Sequence, residues 1–299
     1  MSKKGYVPNR LPGANQVAAS LNKSFNGCYF YVEGASDTCM WRNFLDEDNV
    51  KIIACGGWEN VIDSVEKNVC KNNLCIGVVD LDFHSFIPQE KKNDPNIFLT
   101  DDHDLEMMIY HSGDYQKAIN VLDVHGKRKE YEDNNHSTVL EEVMVIVDKI
   151  ARLRMTAIKN DLKIVFRKRT KDNEFSYPEY DKILDKHTFS YISDEKLIKY
   201  ILDWSRNVTN TSLVYGDVHP LMDQIENENF DKWQFLNGHD ITLVLYILLK
   251  KKVKISALNN SDSFEKSLYV AYEKESLQRT KLYSEIQDFA IRNNLMIFK

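Results

Sequence analysis

Three short runs constrain this chain most. Residues 28–32 (CYFYV), 51–55 (KIIAC) and 74–79 (LCIGVV) are too apolar to leave one face in water. Each reads as a buried strand. Between them lie two stretches with helical spacing. Met40, Trp41, Phe44 and Leu45 recur on one face after Ser36, a residue able to cap the helix. Val61, Ile62, Val65 and Val69 do so within residues 59–69. A fourth strand is expected at residues 97–100, and a helix from about Asp104. The order β-α-β-α-β with strands buried on both sides predicts a parallel sheet flanked by helices, an α/β fold. Ligands of such sheets gather at the carboxyl ends of the strands.

Carboxylates stand at those ends. The first strand runs into Glu33-Gly34-Ala35-Ser36-Asp37. Gly34 permits a sharp turn, and Asp37 falls in the first helical turn, where it can point back beside Glu33. The third strand runs into Asp80-Leu81-Asp82, whose alternation puts both carboxylates on one side. A further acidic stretch, Asp101-Asp102-His103-Asp104-Leu105-Glu106, follows the fourth strand. Asp101 and Asp102 read as solvated loop and Asp104 as a helix cap, while Glu106 is compatible with either face of its helix. Converging carboxylates repel one another unless a cation intervenes. Oxygen donors suit Mg²⁺ or Mn²⁺, and such ions serve phosphodiester hydrolysis. The expected metal ligands are therefore Glu33, Asp37, Asp80 and Asp82, with Glu33, Asp80 and Asp82 as the catalytic core. Glu33 either holds the metal or handles a proton. His84, Asp104, Glu106 and His239 form a possible outer shell. For Gly238-His239-Asp240, which precedes the apolar run 241–249, a structural role, with Asp240 as the helix cap and His239 as a buried hydrogen-bonding group, ranks ahead of a catalytic one.

After about residue 115 the pattern becomes helical, at residues 138–158, 194–204, 238–250 and 264–291. Residues 163–167 fit a short strand or a continuation of the preceding helix. The expected divisions are an N-terminal arm at 1–24, a catalytic α/β domain at 25–120 and a mainly helical region at 121–299. The net charge of −6 excludes a polybasic mode of binding, but local patches decide nucleic-acid affinity. Basic residues cluster at 127–129, at Arg152 and Arg154, at Arg167-Lys168-Arg169 with Lys171, and at 250–254. The third cluster precedes Phe175, Tyr177 and Tyr180, rings that can stack on unpaired bases. These clusters suit a nucleic acid or an acidic partner protein. The five cysteines, Cys28, Cys39, Cys55, Cys70 and Cys75, lack CxxC spacing and read as reduced thiols of a cytoplasmic protein. No apolar run reaches the length of a membrane span, and no GxxxxGK[ST] loop marks an ATPase.

A glutamate after the first strand and an Asp-x-Asp after the third resemble the TOPRIM pattern. Glu33 matches the glutamate, and Asp80 and Asp82 the aspartate pair. Asp37, one helical turn on, resembles the nuclease branch rather than the topoisomerases. The chain is also too short for the domain that carries a topoisomerase's tyrosine nucleophile. The longer set Tyr31-Val32-Glu33-Gly34, Val78-Val79-Asp80-Leu81-Asp82-Phe83, His103-Asp104-Leu105-Glu106 and Asn237-Gly238-His239-Asp240 is similar to a bacterial TOPRIM-like family. That family resembles AriB, the effector of the PARIS anti-phage defence system. The resemblance implies a toxic Mg²⁺-dependent endonuclease that attacks tRNA. It also implies restraint by an ABC-type ATPase sensor subunit, AriA, and a homodimer when active. The rival readings are a catalytically silent TOPRIM-fold regulatory subunit and an OLD-like DNA nuclease.

Overall fold

The computed structural model describes residues 25–69, 74–87, 94–169 and 175–299. The predicted N-terminal arm, Cys70 and Lys171 lie outside them. Strand β1 (Cys28–Val32) leads to helix α1 (Ala35–Trp41), β2 (Val50–Ala54), α2 (Trp58–Val69), β3 (Cys75–Val79) and β4 (Ile97–Leu99). Helices α3 (Leu105–Ser112), α4 (Tyr115–Leu122), α5 (Lys127–Asn135) and α6 (Val139–Lys159) follow. A ribbon of β5 (Lys168–Arg169) and β6 (Phe175–Ser176) and a 3-10 turn (Tyr180–Ile183) come next. The chain ends with α7 (Asp194–Thr209), α8 (Tyr215–Asp223), α9 (Lys232–Phe235), α10 (Gly238–Ile247), α11 (Ser261–Ala271), α12 (Lys274–Gln278) and α13 (Lys281–Arg292).

The fold is α/β, with a four-stranded parallel sheet flanked by helices and a helical C-terminal part. The sheet order is β2-β1-β3-β4. Every residue of β1 and β3 is buried. Alternation sends Tyr29 and Tyr31 to one face, where they join Val61 and Val65 of α2 with Cys55, Cys75 and Val79. The other face carries Phe30, whose ring lies 4.9 Å from that of Trp41 in α1. Phe98 of β4 meets Phe289 of α13 at 6.3 Å. Cys28, Cys55 and Cys75 are free buried thiols and Cys39 is a free exposed one.

Two compact units emerge. The first contains the sheet, within Met1–Leu81, Glu90–Asp101 and Tyr272–Lys299; the second comprises Asp82–Gln89 and Asp102–Ala271. The last segment therefore belongs to the sheet unit, a different division from one at residue 120. Main-chain bonds tie it there: Asp46 N donates to Ile297 O at 2.8 Å and Lys299 N to Phe44 O at 2.9 Å. The helical stretch expected at 264–291 is three helices. Thr280 caps the last of them by accepting from Tyr283 N at 3.0 Å. Residues 163–167 are neither strand nor helix; Val165 N instead donates to Ser205 Oγ at 3.0 Å. Among the described residues, no helix is long and apolar enough to cross a membrane.

Helix α2 approaches β3 at Gly77. A Cβ there would lie 2.6 Å from Val61 Cγ1 and 2.7 Å from Ile97 Cδ1. Gly77→Ala is expected to cost about 1–3 kcal/mol by overpacking. Urea unfolding checks this, and the loss in Gly77→Ala/Val61→Ala should fall short of the sum of the two single losses.

Candidate active site

Two neighbouring strand ends hold the first group of carboxylates. Val32 O accepts from Cys55 N at 2.9 Å, and Glu33 O accepts from Gly56 N at 2.7 Å and Gly57 N at 3.0 Å. The Glu33 backbone is thus clamped by the turn after β2, in which both glycines have positive φ. The side chain leaves toward β3, where Glu33 Oε1 accepts from Asp80 N at 3.0 Å. This contact spans 47 residues of sequence, as the parallel topology predicts. The Asp80 segment is held from its other side, because Leu81 N donates to Thr100 Oγ1 at 2.9 Å and Thr100 N to Val79 O at 3.1 Å.

Gly34, not Ser36, is the N-cap of α1, and Asp37 accepts from the cap's own N–H. Asp37 Oδ2 accepts from Gly34 N at 2.9 Å and Oδ1 from Ser36 Oγ at 3.2 Å. Asp37 points back toward the end of β1, as its spacing suggests. Glu33, Asp37 and Asp80 are all half-buried. Burial pushes the Cys55 thiol up to about 11, offset by a hydrogen bond with Ser64 and assisted by the nearby Glu33 charge. The donor set is oxygen only and partly reachable from water, which fits a hard divalent cation. The Asp80 N–H orients Glu33, as hydrogen bonds to metal-ligating carboxylates do.

Asp82 opens the second unit in the left-handed region, at φ 50°. Its N–H donates to His103 O at 2.8 Å. His84 is half-buried in the turn that follows. His103 is buried against Phe83 at 4.9 Å, with Nδ1 3.1 Å from Gln234 O. Burial holds its pKa below the usual value against the pull of the Asp82 charge.

Elsewhere in that unit the expected outer-shell residues serve three helices. Asp104 caps α3 through Met107 N at 2.9 Å, and also accepts from Gly238 N at 2.8 Å and Asn237 Nδ2 at 3.1 Å. Burial, with the Glu106 charge, raises its carboxyl well above the ordinary range. A Cβ at Gly238 would sit 2.4 Å from both Asp104 Oδ1 and Glu106 Cβ, so only glycine admits this approach. Glu106 accepts from Tyr269 Oη, and His239 Nδ1 meets Glu265 Oε1 at 2.6 Å.

Asn237, rather than Asp240, caps α10. Asp240 instead receives Arg154 through Nε at 2.7 Å and Nη2 at 2.8 Å, with the Tyr180 hydroxyl at 2.6 Å. Asp101 and Asp102 are not a solvated loop. Asp101 accepts from Lys281 N at 2.7 Å and Leu282 N at 2.8 Å, and Asp102 is buried beside His111 at 3.0 Å.

The basic clusters are largely committed to protein partners. Arg152 is buried and bonds Asp148 at 2.7 Å and Glu228 O at 3.1 Å. Lys251 pairs with Asp181 at 2.7 Å and Lys252 with Glu142 at 2.6 Å. Of the third cluster, Arg167 is exposed, Lys168 lies 3.8 Å over the Trp204 ring, and Arg169 lies in β5. Tyr180 is fully buried and offers no face to a base; Tyr177 is half-buried. Sequence reasoning missed Glu265, which looks like any charge on an amphipathic helix until α11 is placed. No family model matches the sequence, and no curated protein matches it.

The Arg154–Asp240 pair is a double hydrogen bond from a half-buried guanidinium to a fully buried carboxylate, the Asp240 side chain being 0% exposed. Arg154→Met leaves that carboxylate uncompensated and is expected to cost about 3–5 kcal/mol. Chemical denaturation measures it; Arg154→Met/Asp240→Asn should recover part of the loss.

Proposed function

We propose that this chain is a divalent-metal-dependent endonuclease of TOPRIM type. The observation that carries the reading is the hydrogen bond from Asp80 N–H to Glu33 Oε1, which joins acidic residues at the ends of two adjacent parallel strands. Glu33, Asp37 and Asp80 would hold Mg²⁺ or Mn²⁺, with Asp82 the further ligand expected from the sequence motif. Bound there, the ion would neutralise phosphate charge and acidify the attacking water. Glu33, oriented by the Asp80 N–H, would hold the ion or handle the water's proton. Asp37, braced on the Gly34 N–H, keeps its carboxylate aimed back over the cap.

The sequence resemblance extends the proposal to tRNA as substrate, which the basic cluster read from the sequence pattern, Arg167, Lys168, Arg169 and Lys171, would contact. It extends it also to toxicity restrained by an AriA-like ABC-type ATPase and to a homodimer as the active state. Arg167 is exposed, where a phosphate backbone can reach it.

The purified chain incubated with tRNA and with duplex DNA, with Mg²⁺ or with chelator, tests this. Metal-dependent cleavage is expected, reduced roughly a thousandfold in Glu33→Gln, the factor that about 4 kcal/mol of lost transition-state stabilisation gives. Cleavage that survives both chelator and Glu33→Gln would refute the site. Equal cleavage of DNA would withdraw tRNA as the preferred substrate and favour an OLD-like enzyme. No cleavage of either nucleic acid would favour the silent regulatory subunit.

A further inference from the structure

A second constellation, in the helical unit, uses none of the residues assigned above to metal binding. Glu106 of α3, His239 of α10 and Glu265 of α11 each present one donor atom, and these atoms all lie within 4.8 Å of one another. The three helices pack against each other, so each donor comes from a separate rigid element. We propose that Glu106, His239 and Glu265 form a binding site for a divalent transition ion of the Zn²⁺ class.

The donor types favour such an ion over Mg²⁺. One imidazole and two carboxylates suit zinc, whereas magnesium takes oxygen donors and keeps several waters. The spacing is close to what zinc needs. Ligands at 2.0–2.2 Å in a tetrahedral shell stand about 3.3–3.6 Å apart. His239 Nδ1 is 2.6 Å from Glu265 Oε1 and 3.9 Å from Glu106 Oε1. Opening the first contact and closing the second by less than 1 Å brings both into that range. The zinc ion takes the place of the proton that His239 and Glu265 share, and that proton leaves to solvent.

Two further features support a site over a plain ion pair. The first is access. Glu106 is buried at 4% side-chain exposure, whereas His239 and Glu265 are 26% and 22% exposed. The latter two line a cavity of about 380 Å³ together with Tyr177 and Tyr246. The ion thus has an entry path from that cavity. The second is charge. The Glu106 and Glu265 carboxylates flank one imidazole, while Arg154 is committed to Asp240. One imidazolium leaves this group under-neutralised, and a dication does not. The Tyr269 hydroxyl bound to Glu106 orients that ligand.

Zinc titration of the full-length chain by calorimetry, with metal content measured after dialysis, tests the site. One zinc per chain is expected in the wild type and in Glu33→Gln, with a binding enthalpy that varies with buffer as a proton is released. Glu265→Gln and His239→Gln should each weaken binding by about a hundredfold or more, with circular dichroism unchanged. Glu265→Gln can still bond to His239 through its amide, so it keeps the test valid should His239→Gln fail to fold. No zinc binding in the wild type, or undiminished binding in Glu265→Gln, would overturn the site. Zinc lost in Glu33→Gln alone would assign the ion to the proposed active site instead. Because stoichiometry is read independently of cleavage, failure of the nuclease reading leaves this result standing.

Discussion

Strand β1 has no contact with water on either face and is hydrogen-bonded along both edges, by β2 and β3. Much of the sheet unit follows from that constraint. A strand enclosed in this way must be apolar throughout, and covering its two faces requires helices on both sides. The first place where the chain can present charge is its carboxyl end, and Glu33 stands there. The turn after β2 and the end of β3 arrive at the same level through the parallel register, so their backbone N–H groups meet the carbonyl and the carboxylate of Glu33. Packing below the site thereby sets the position of the acidic side chain above it.

The helical unit manages a different problem, the burial of many ionisable groups. Asp104 accepts from the amino ends of two helices, Asp240 is matched by Arg154 and Tyr180, and Glu106 by Tyr269. Asp104 and Asp240 are each satisfied by several donors, as burial demands. Such arrangements act as specific ties between helices, because a shift of one helix would strip several bonds at once. The group around His239 differs in that it opens on a cavity and gathers more acid than base.

The strands and their order were legible because full burial leaves a continuous apolar signature in CYFYV and LCIGVV. The pairing of Glu33 with the Asp80 segment was legible because parallel βαβ topology determines which strand ends meet. Capping was legible in part. Asp104 caps as its position suggests, whereas Gly34 displaces Ser36 and Asn237 displaces Asp240. Several small polar residues near a helix start can serve as cap, and the entry direction of the chain chooses among them.

The sequence alone determined the α/β class, the parallel sheet and the placing of Glu33 and Asp80 at adjacent strand ends. These depend on local periodicity and on the few connections that parallel strands allow. Only the tertiary structure decided that Asp101 accepts from the first two N–H groups of the final helix, that Arg152 is buried and Arg154 half-buried in polar networks, and that Glu265 meets His239. Those contacts join residues far apart in the chain, and a charged residue bears the same local sequence signature whether it faces solvent or a distant partner. The carboxylates at the strand ends were readable because topology alone brings them together, whereas the His239 constellation arises only from how three helices pack.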